Sequence, residues 1–325
     1  MYITDRKSNP KPLEDTPQVV QISRENTPFF ASVIGNKAAE TLSKLEQSIL
    51  EDPGKRGIAH LFQKSDLLKS VLALSHANRV AVTTGFPCHT DYEVKEETDG
   101  LPGALAICQA LLALGKEVTL ISDSGNQGLF ESCVAHMVSI GALNAQVPVI
   151  PFSKAVERYN TTSRDTPLFD CFLAIERSGR AADGTYRTMK ARDVSQYLDP
   201  VDDLFADVQS NPLVAAICIG DGGNELGMGK VFEKVKQHIT LGETIACAVP
   251  SDFVIAAGVS NWGGYAVALG LHVVSMCQLH WRYRNHGINA ESPPEFRTDQ
   301  FLPTNEQVRC LSSCSYCLQY NLTAL

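Results

Sequence analysis

Long apolar runs are missing from this 325-residue chain: none approaches the ~20 consecutive residues of a membrane span, so a spanning helix is excluded. Positive charge is also in short supply. Lys and Arg total 28 against 36 Asp and Glu, a net charge of -8. A general nucleic-acid or anionic-membrane binder needs a basic face to neutralise phosphate, and this balance argues against both. The opening segment, MYITDRKSNPKPLEDTP, has neither the apolar core of a secretory signal nor the Arg-rich amphipathic pattern of an organellar presequence. Read on its own terms, the chain stays in the cytoplasm. Cysteine is not scarce, at ten residues, but the regular spacing of a disulfide scaffold is absent. Cys108, Cys133, Cys171, Cys218 and Cys247 fall inside apolar patterns, where Cys acts as a small hydrophobe, so the compartment reads as reducing. The tail sequence CLSSCSYC spaces Cys310, Cys314 and Cys317 like an iron–sulfur motif, yet no scaffold follows to enclose a cluster.

What is present is an alternation. RVAVTTG, EVTLIS, VPVIPF, DCFLAIE and LVAAICIG read as buried strands, separated by helical patterns such as GALAICQALLALG and residues 127–140. TIACAVP and FVIAAGVS can complete the sheet, and WGGYAVALGLHVVSM reads as a last helix. The fold class is therefore α/β, with a mostly parallel, doubly wound, Rossmann-like sheet covered by helices on both faces. Two helices precede the sheet, the second starting at Ser65 as N-cap. Residues 1–30 are Pro-rich and polar, a tether or the remnant of a preceding domain; 31–276 form the α/β unit and 277–325 a tail.

In such a sheet, ligands bind outside the carboxyl ends of the strands. The loops that follow the strands here are FPCHTDYEVKEETDGLPG, DSGNQG, RSGRAADGTYRTMKARD, DGGNELGMGK and SNWGG, all rich in Gly and charge. Phosphate motifs fail. Five residues separate Gly223 from Gly229 where a Walker A loop has four, and Val231 follows Lys230 in place of Ser or Thr. A dinucleotide fingerprint needs Gly where Glu225 stands. Glu97, Asp99, Asp123, Glu176, Asp221 and Glu225 make the rim acidic, which suits a cationic ligand group or a divalent ion better than a polyphosphate. Glu176 ends a buried strand, so an Arg partner such as Arg177, Arg187 or Arg192 is expected.

TTGF (83–86), ETDGLPGALA (97–106), TLISD (119–123), AIERSGRAADGTY (174–186), GDGGNELGMGK (220–230) and GVSNWGGYA (258–266) together resemble the C-terminal domain of the D-glutamate cyclase family, over about residues 30–275. MYITD is similar to the last strand of the hydro-lyase-like domain that precedes it in the full-length protein, so the chain resembles a shortened form. From about Asn305 the tail departs from the family pattern. The resemblance implies dehydration of D-glutamate to 5-oxo-D-proline in the mitochondrial matrix. That reaction requires no redox cofactor and admits a divalent cation.

Cyclisation needs one carboxylate to take a proton from the amine and one protonated acid to help water leave. Asp99 or Glu97 is assigned the base and Asp221 or Glu225 the acid. Gly100, Gly103, Gly222 and Gly223 offer N–H groups to an oxyanion, and Arg177 or Arg180 holds the α-carboxylate. Thr84, Asp123, Glu176, Asn224, Ser260 and Asn261 complete the substrate-binding set. Two other classes compete: a metal-dependent phosphate or nucleotide enzyme with Mg²⁺ on Asp123, Asp221 and Glu225, and a non-catalytic module that supports the hydro-lyase-like partner domain.

Overall fold

The apolar runs that read as strands sit at the centre of the molecule. The computed structural model describes residues 15–24 and 27–285. In chain order the elements are β1 (Pro17–Arg24), β2 (Thr27–Gly35), α1 (Asn36–Ser48), α2 (Asp66–His76), β3 (Arg79–Gly85), α3 (Leu101–Ala113), β4 (Glu117–Ser122), α4 (Gln127–Ser139) and β5 (Val149–Pro151). There follow α5 (Phe152–Asn160), β6 (Cys171–Arg177), α6 (Val201–Ser210), β7 (Ala215–Gly220), α7 (Phe232–His238), α8 (Gly242–Ile245), β8 (Phe253–Ala256), α9 (Ser260–Met276) and α10 (Gln278–Arg284).

Strands β3 to β8 form one six-stranded sheet in the order β5-β4-β3-β6-β7-β8, and every pairing is parallel. Every residue of β6 and β7 is buried, as expected for strands covered on both faces. Alternate side chains divide between two cores. Val80, Val82, Leu173, Ile175, Ile217 and Ile219 pack with α1, α2, α3, α4 and α9. Ala81, Phe172, Ala174 and Ala216 pack with α5 and α6 on the other face. A third cluster joins β7 and β8 to α7, α8 and the segment around Ile58 and Leu61.

The doubly wound sheet agrees with the sequence reading, and three local features differ. β1 and β2 pair antiparallel, Pro17 opposite Gly35, in a region that overlaps residues 1–30, read from the sequence as a tether or the remnant of a preceding domain; Ile22 and Ile34 join the main core and α10 packs on β2. TIACAVP adds no strand: its start closes α8, and β8 comes from Phe253–Ala256 alone. Ser65 does not cap α2 with its side chain. Its φ is 69, and its N–H and that of Leu67 both donate to Glu46, at 3.0 and 3.0 Å. The Cys310–Cys317 tail and the MYITD start lie outside the described residues. No helix among the described residues is long and apolar enough to cross a membrane.

Candidate active site

Strand order reverses between β3 and β6, the place where an open α/β sheet leaves a crevice beyond its carboxyl ends. The loop after β3 brings Glu97 and Asp99 there. Glu176 stands near the end of β6, Asp221 directly follows β7, and Ser260 and Asn261 open α9.

Two helices fix this site by capping each other. Asp99, just before α3, accepts N–H groups from the start of α9: Asn261 at 2.9 Å and Ser260 at 3.1 Å. Asn261, in the first turn of α9, accepts in return from Gly100 at 3.1 Å and Gly103 at 2.8 Å, at the start of α3. Each side chain satisfies donors that its neighbour helix leaves open. Gly100 has φ 96, and a Cβ there would lie 2.5 Å from the Thr84 hydroxyl and 2.6 Å from the Glu176 Cβ. Only glycine fits that turn. Glu176 itself has φ 39, a strained value for a residue with a side chain, held in place between β3 and β7. The buried hydroxyl of Thr84 has no partner among the described residues.

The carboxyl groups meet in pairs. Asp99 lies beside Asp221, and Glu97 beside Glu176. Like charges this close in a buried site oppose ionisation of both members of a pair. Burial, then the charges of Glu225, Asp99 and Glu97, push Asp221 up to about 9 against the opposing effect of Arg56. Burial and the surrounding acids raise Glu176 well above the usual range. Burial raises Glu97 to about 7, although its contact with Glu176 works the other way. Burial also raises Asp99, moderated by the three N–H groups that it accepts. Asp221 and Glu176 are thus both held toward their protonated forms. Ser260 Oγ donates to Glu176 Oε2. One oxygen each of Asp99, Glu176 and Asp221 lie within 4.8 Å of one another, a spacing that three ligands of one hard cation could adopt.

A cation that the sequence reading missed also touches this cluster. Arg56, in the loop between α1 and α2, forms an ion pair with Asp221. That loop approaches the rim because the Gly258 N–H, after β8, donates to the Ile49 carbonyl at 2.8 Å.

A family model described as "D-glutamate cyclase-like, C-terminal" matches residues 45–316. The chain belongs to that family. The match extends past residue 276 and into the segment predicted as a tail. Human "D-glutamate cyclase, mitochondrial" is 42% identical over 311 residues, covering 93% of this chain and 50% of the human protein. The chain therefore spans about half the length of the curated relative it matches. An exopolyphosphatase-related protein from Bacteroides fragilis superposes with a TM-score of 0.37 at 10% identity, over 80% of this chain and 61% of that one. That likeness is too slight to carry an argument.

The cyclase-like domain places the other predicted residues less simply. Glu225 accepts the N–H groups of Asp221, Gly222 and Gly223, at 2.8, 2.6 and 2.6 Å. It closes the turn after β7 instead of standing free as an acid. The predicted oxyanion donors are spent for the same reason: Gly222 and Gly223 on Glu225, Gly100 and Gly103 on Asn261. Arg177 is wholly buried and paired with Asp123, one contact at 2.8 Å, and also donates to the Asp199 carbonyl at 3.0 Å. It ties β6 to the end of β4 and the approach to α6, so it is not the arginine that faces the acids. Arg180 holds Asp203 at 2.6 Å. The expected Arg partner of Glu176 is not seen, since Arg187 and Arg192 hold Asp183 and the Thr90–Asp91 segment. Asn224 Nδ2 donates to the Arg187 carbonyl at 2.8 Å, joining two rim loops. The predicted metal set of Asp123, Asp221 and Glu225 does not assemble, because Asp123 and Glu225 are committed elsewhere.

Proposed function

We propose that this chain carries the active site for intramolecular dehydration of D-glutamate to 5-oxo-D-proline, working in mitochondria beside a hydro-lyase-like partner domain. The human relative's name and the family match supply the substrate class. The observation that carries the chemistry is the convergence of buried acids, with one oxygen each of Asp99, Glu176 and Asp221 within 4.8 Å of one another and Glu97 beside Glu176.

Lactam formation needs no net proton. The ammonium gives up two protons as the C–N bond forms, and one γ-carboxylate oxygen collects two and leaves as water. A carboxyl pair with one member protonated can take a proton and return one without drawing on solvent. Asp99 or Glu97 acts as base toward the ammonium. Asp221, with Glu176 behind it in place of Glu225, supplies the acid. Proximity does the rest, since amine and carboxyl belong to one molecule folded into a ring-like conformer.

Asp99→Asn and Asp221→Asn each replace a member of one pair at nearly constant volume. Each is expected to lower turnover of D-glutamate by 100-fold or more, on the order of general acid–base contributions, with secondary structure unchanged by circular dichroism. Wild-type rates in both variants overturn the assignment.

The three-oxygen cluster supports a second reading, in which a divalent ion sits on Asp99, Glu176 and Asp221 and neutralises the charge that these acids share. Loss of turnover in EDTA, restored by Mg²⁺ or Mn²⁺, is its expected result. A polyphosphate ligand is less well supported, because the amides that would cradle it are already held by Glu225 and Asn261.

A further inference from the structure

We infer that Arg56 is the residue that selects the substrate by its α-carboxylate. The inference rests on the cyclisation reading and adds a recognition element from a loop that follows no strand. The acid cluster suits an ammonium and repels a free carboxylate, so a substrate with an α-carboxylate needs a cation at the same mouth.

Among the described residues the other rim arginines are engaged, and so is Lys230. Arg177 is buried on Asp123, Arg180 holds Asp203, Arg187 holds Asp183, and Lys230 donates to Asp66 and to the Asp252 carbonyl. Arg56 contacts the cluster through Nη1 alone, on Asp221 Oδ1 and, at 3.4 Å, the Asp221 carbonyl. Its Nη2 and Nε have no partner among the described residues, and its side chain is 38% exposed against 6% for Asp221. One edge of the guanidinium therefore holds the catalytic acid while the other opens to solvent, the fork that binds a carboxylate bidentately.

The loop is set before any ligand arrives. Asp52 accepts the Arg56 N–H at 3.0 Å and the Gly57 N–H at 2.7 Å, which closes the turn around EDPGKRG. Its neighbour Gly258 leaves no room for a side chain, a Cβ there lying 1.7 Å from the Glu51 carbonyl oxygen. A preset arginine spends little entropy on binding.

The test compares D-glutamate with 4-aminobutanoate, which keeps the amine and the γ-carboxyl and lacks the α-carboxylate. Steady-state turnover of D-glutamate and calorimetric binding of both compounds are measured for wild type, Arg56→Gln and Arg56→Lys. Arg56→Gln is expected to lose about 100-fold in kcat/KM for D-glutamate, mostly through KM, while 4-aminobutanoate binding stays within about threefold. Arg56→Lys recovers part of the loss. An equal fall for both compounds overturns the inference, since Arg56 then acts only through Asp221. If wild type does not bind 4-aminobutanoate, recovery by Arg56→Lys decides: at least a tenth of D-glutamate binding supports selection, and none overturns it. If wild type binds D-glutamate without turning it over, the cyclase reading fails separately, and selective loss of that binding in Arg56→Gln still upholds the role of Arg56. Absence of binding in wild type overturns both.

Discussion

Glu225 shows how one residue's role is decided by what its oxygens touch. In the sequence it is one carboxylate among six on a rim, indistinguishable from Asp221 four positions away. In the fold its two oxygens accept three N–H groups, and this lets the chain turn sharply after β7 with its donors satisfied. Glu225→Gln keeps the shape and replaces one acceptor oxygen by a donor, which then faces the Gly223 N–H. Leaving such buried groups unmatched costs about 1–3 kcal/mol, so the melting temperature is expected to fall by roughly 5 °C. Scanning calorimetry checks this, and an unchanged melting temperature shows that the turn does not depend on Glu225. Arg177 and Asp123 teach the same lesson: strand-end position was legible, but whether a charge meets a ligand or a neighbour depends on contacts that spacing does not encode. Arg56 escaped for a different reason. It lies before the first strand of the sheet, and reasoning from loops that follow strands never reaches it.

Between elements, the tightest constraint is the crossing of α3 and α9. Buried on all sides from Leu101 to Leu111, α3 has to pass another helix almost backbone to backbone. Gly103 and Gly264 allow this: a Cβ on Gly264 would lie 2.6 Å from the Gly103 Cα and 2.8 Å from its carbonyl carbon and oxygen. None of those atoms can swing aside, so Gly264→Ala must push the helices apart. The cost is about 1–3 kcal/mol. The same displacement draws Asn261 away from the Gly103 N–H and Asp99 away from the start of α9. Turnover is therefore expected to fall more than the lost stability accounts for, and activity measured well below the melting temperature separates the two effects. Retention of full activity would show that the crossing does not set the site. The helices themselves were legible from apolar periodicity, and Asp99 and Asn261 from their places in the loops. Their exchange of caps was not, because 162 positions separate Asp99 from Asn261 and only the closed sheet brings them together. The pairing of β1 with β2 went unseen because β1 is largely exposed, with Val19 at 70%, and shows no strong apolar run.

For the whole molecule, the cluster makes folding depend on pH in a direction opposite to that of ordinary ion-paired acids. Asp221 at about 9 and Glu97 at about 7 stand above their usual values of 3.8 and 4.5. Across the interval between, the native state keeps protons that the unfolded chain has released, so stability falls as pH rises. The sign is that of groups raised on folding: their contribution is complete below pH 4 and is lost as pH climbs through 7 and 9. Half-buried His76 and buried His280, both lowered to about 4, act on the other side. They stay neutral in the fold while the unfolded chain takes up protons below pH 6.5, so they weaken the protein as pH falls from 6.5 toward 4. The combination predicts stability that declines from about pH 5.5 toward pH 8. One retained proton corresponds to about 1.4 kcal/mol per pH unit, and Asp221→Asn removes one such group. The variant is therefore expected to lose less stability than wild type between pH 5.5 and 8 in urea titrations, and to match or exceed it at pH 8. Parallel curves for the two proteins would mean that Asp221 is ionised in the fold, which would remove the acid from the proposed chemistry.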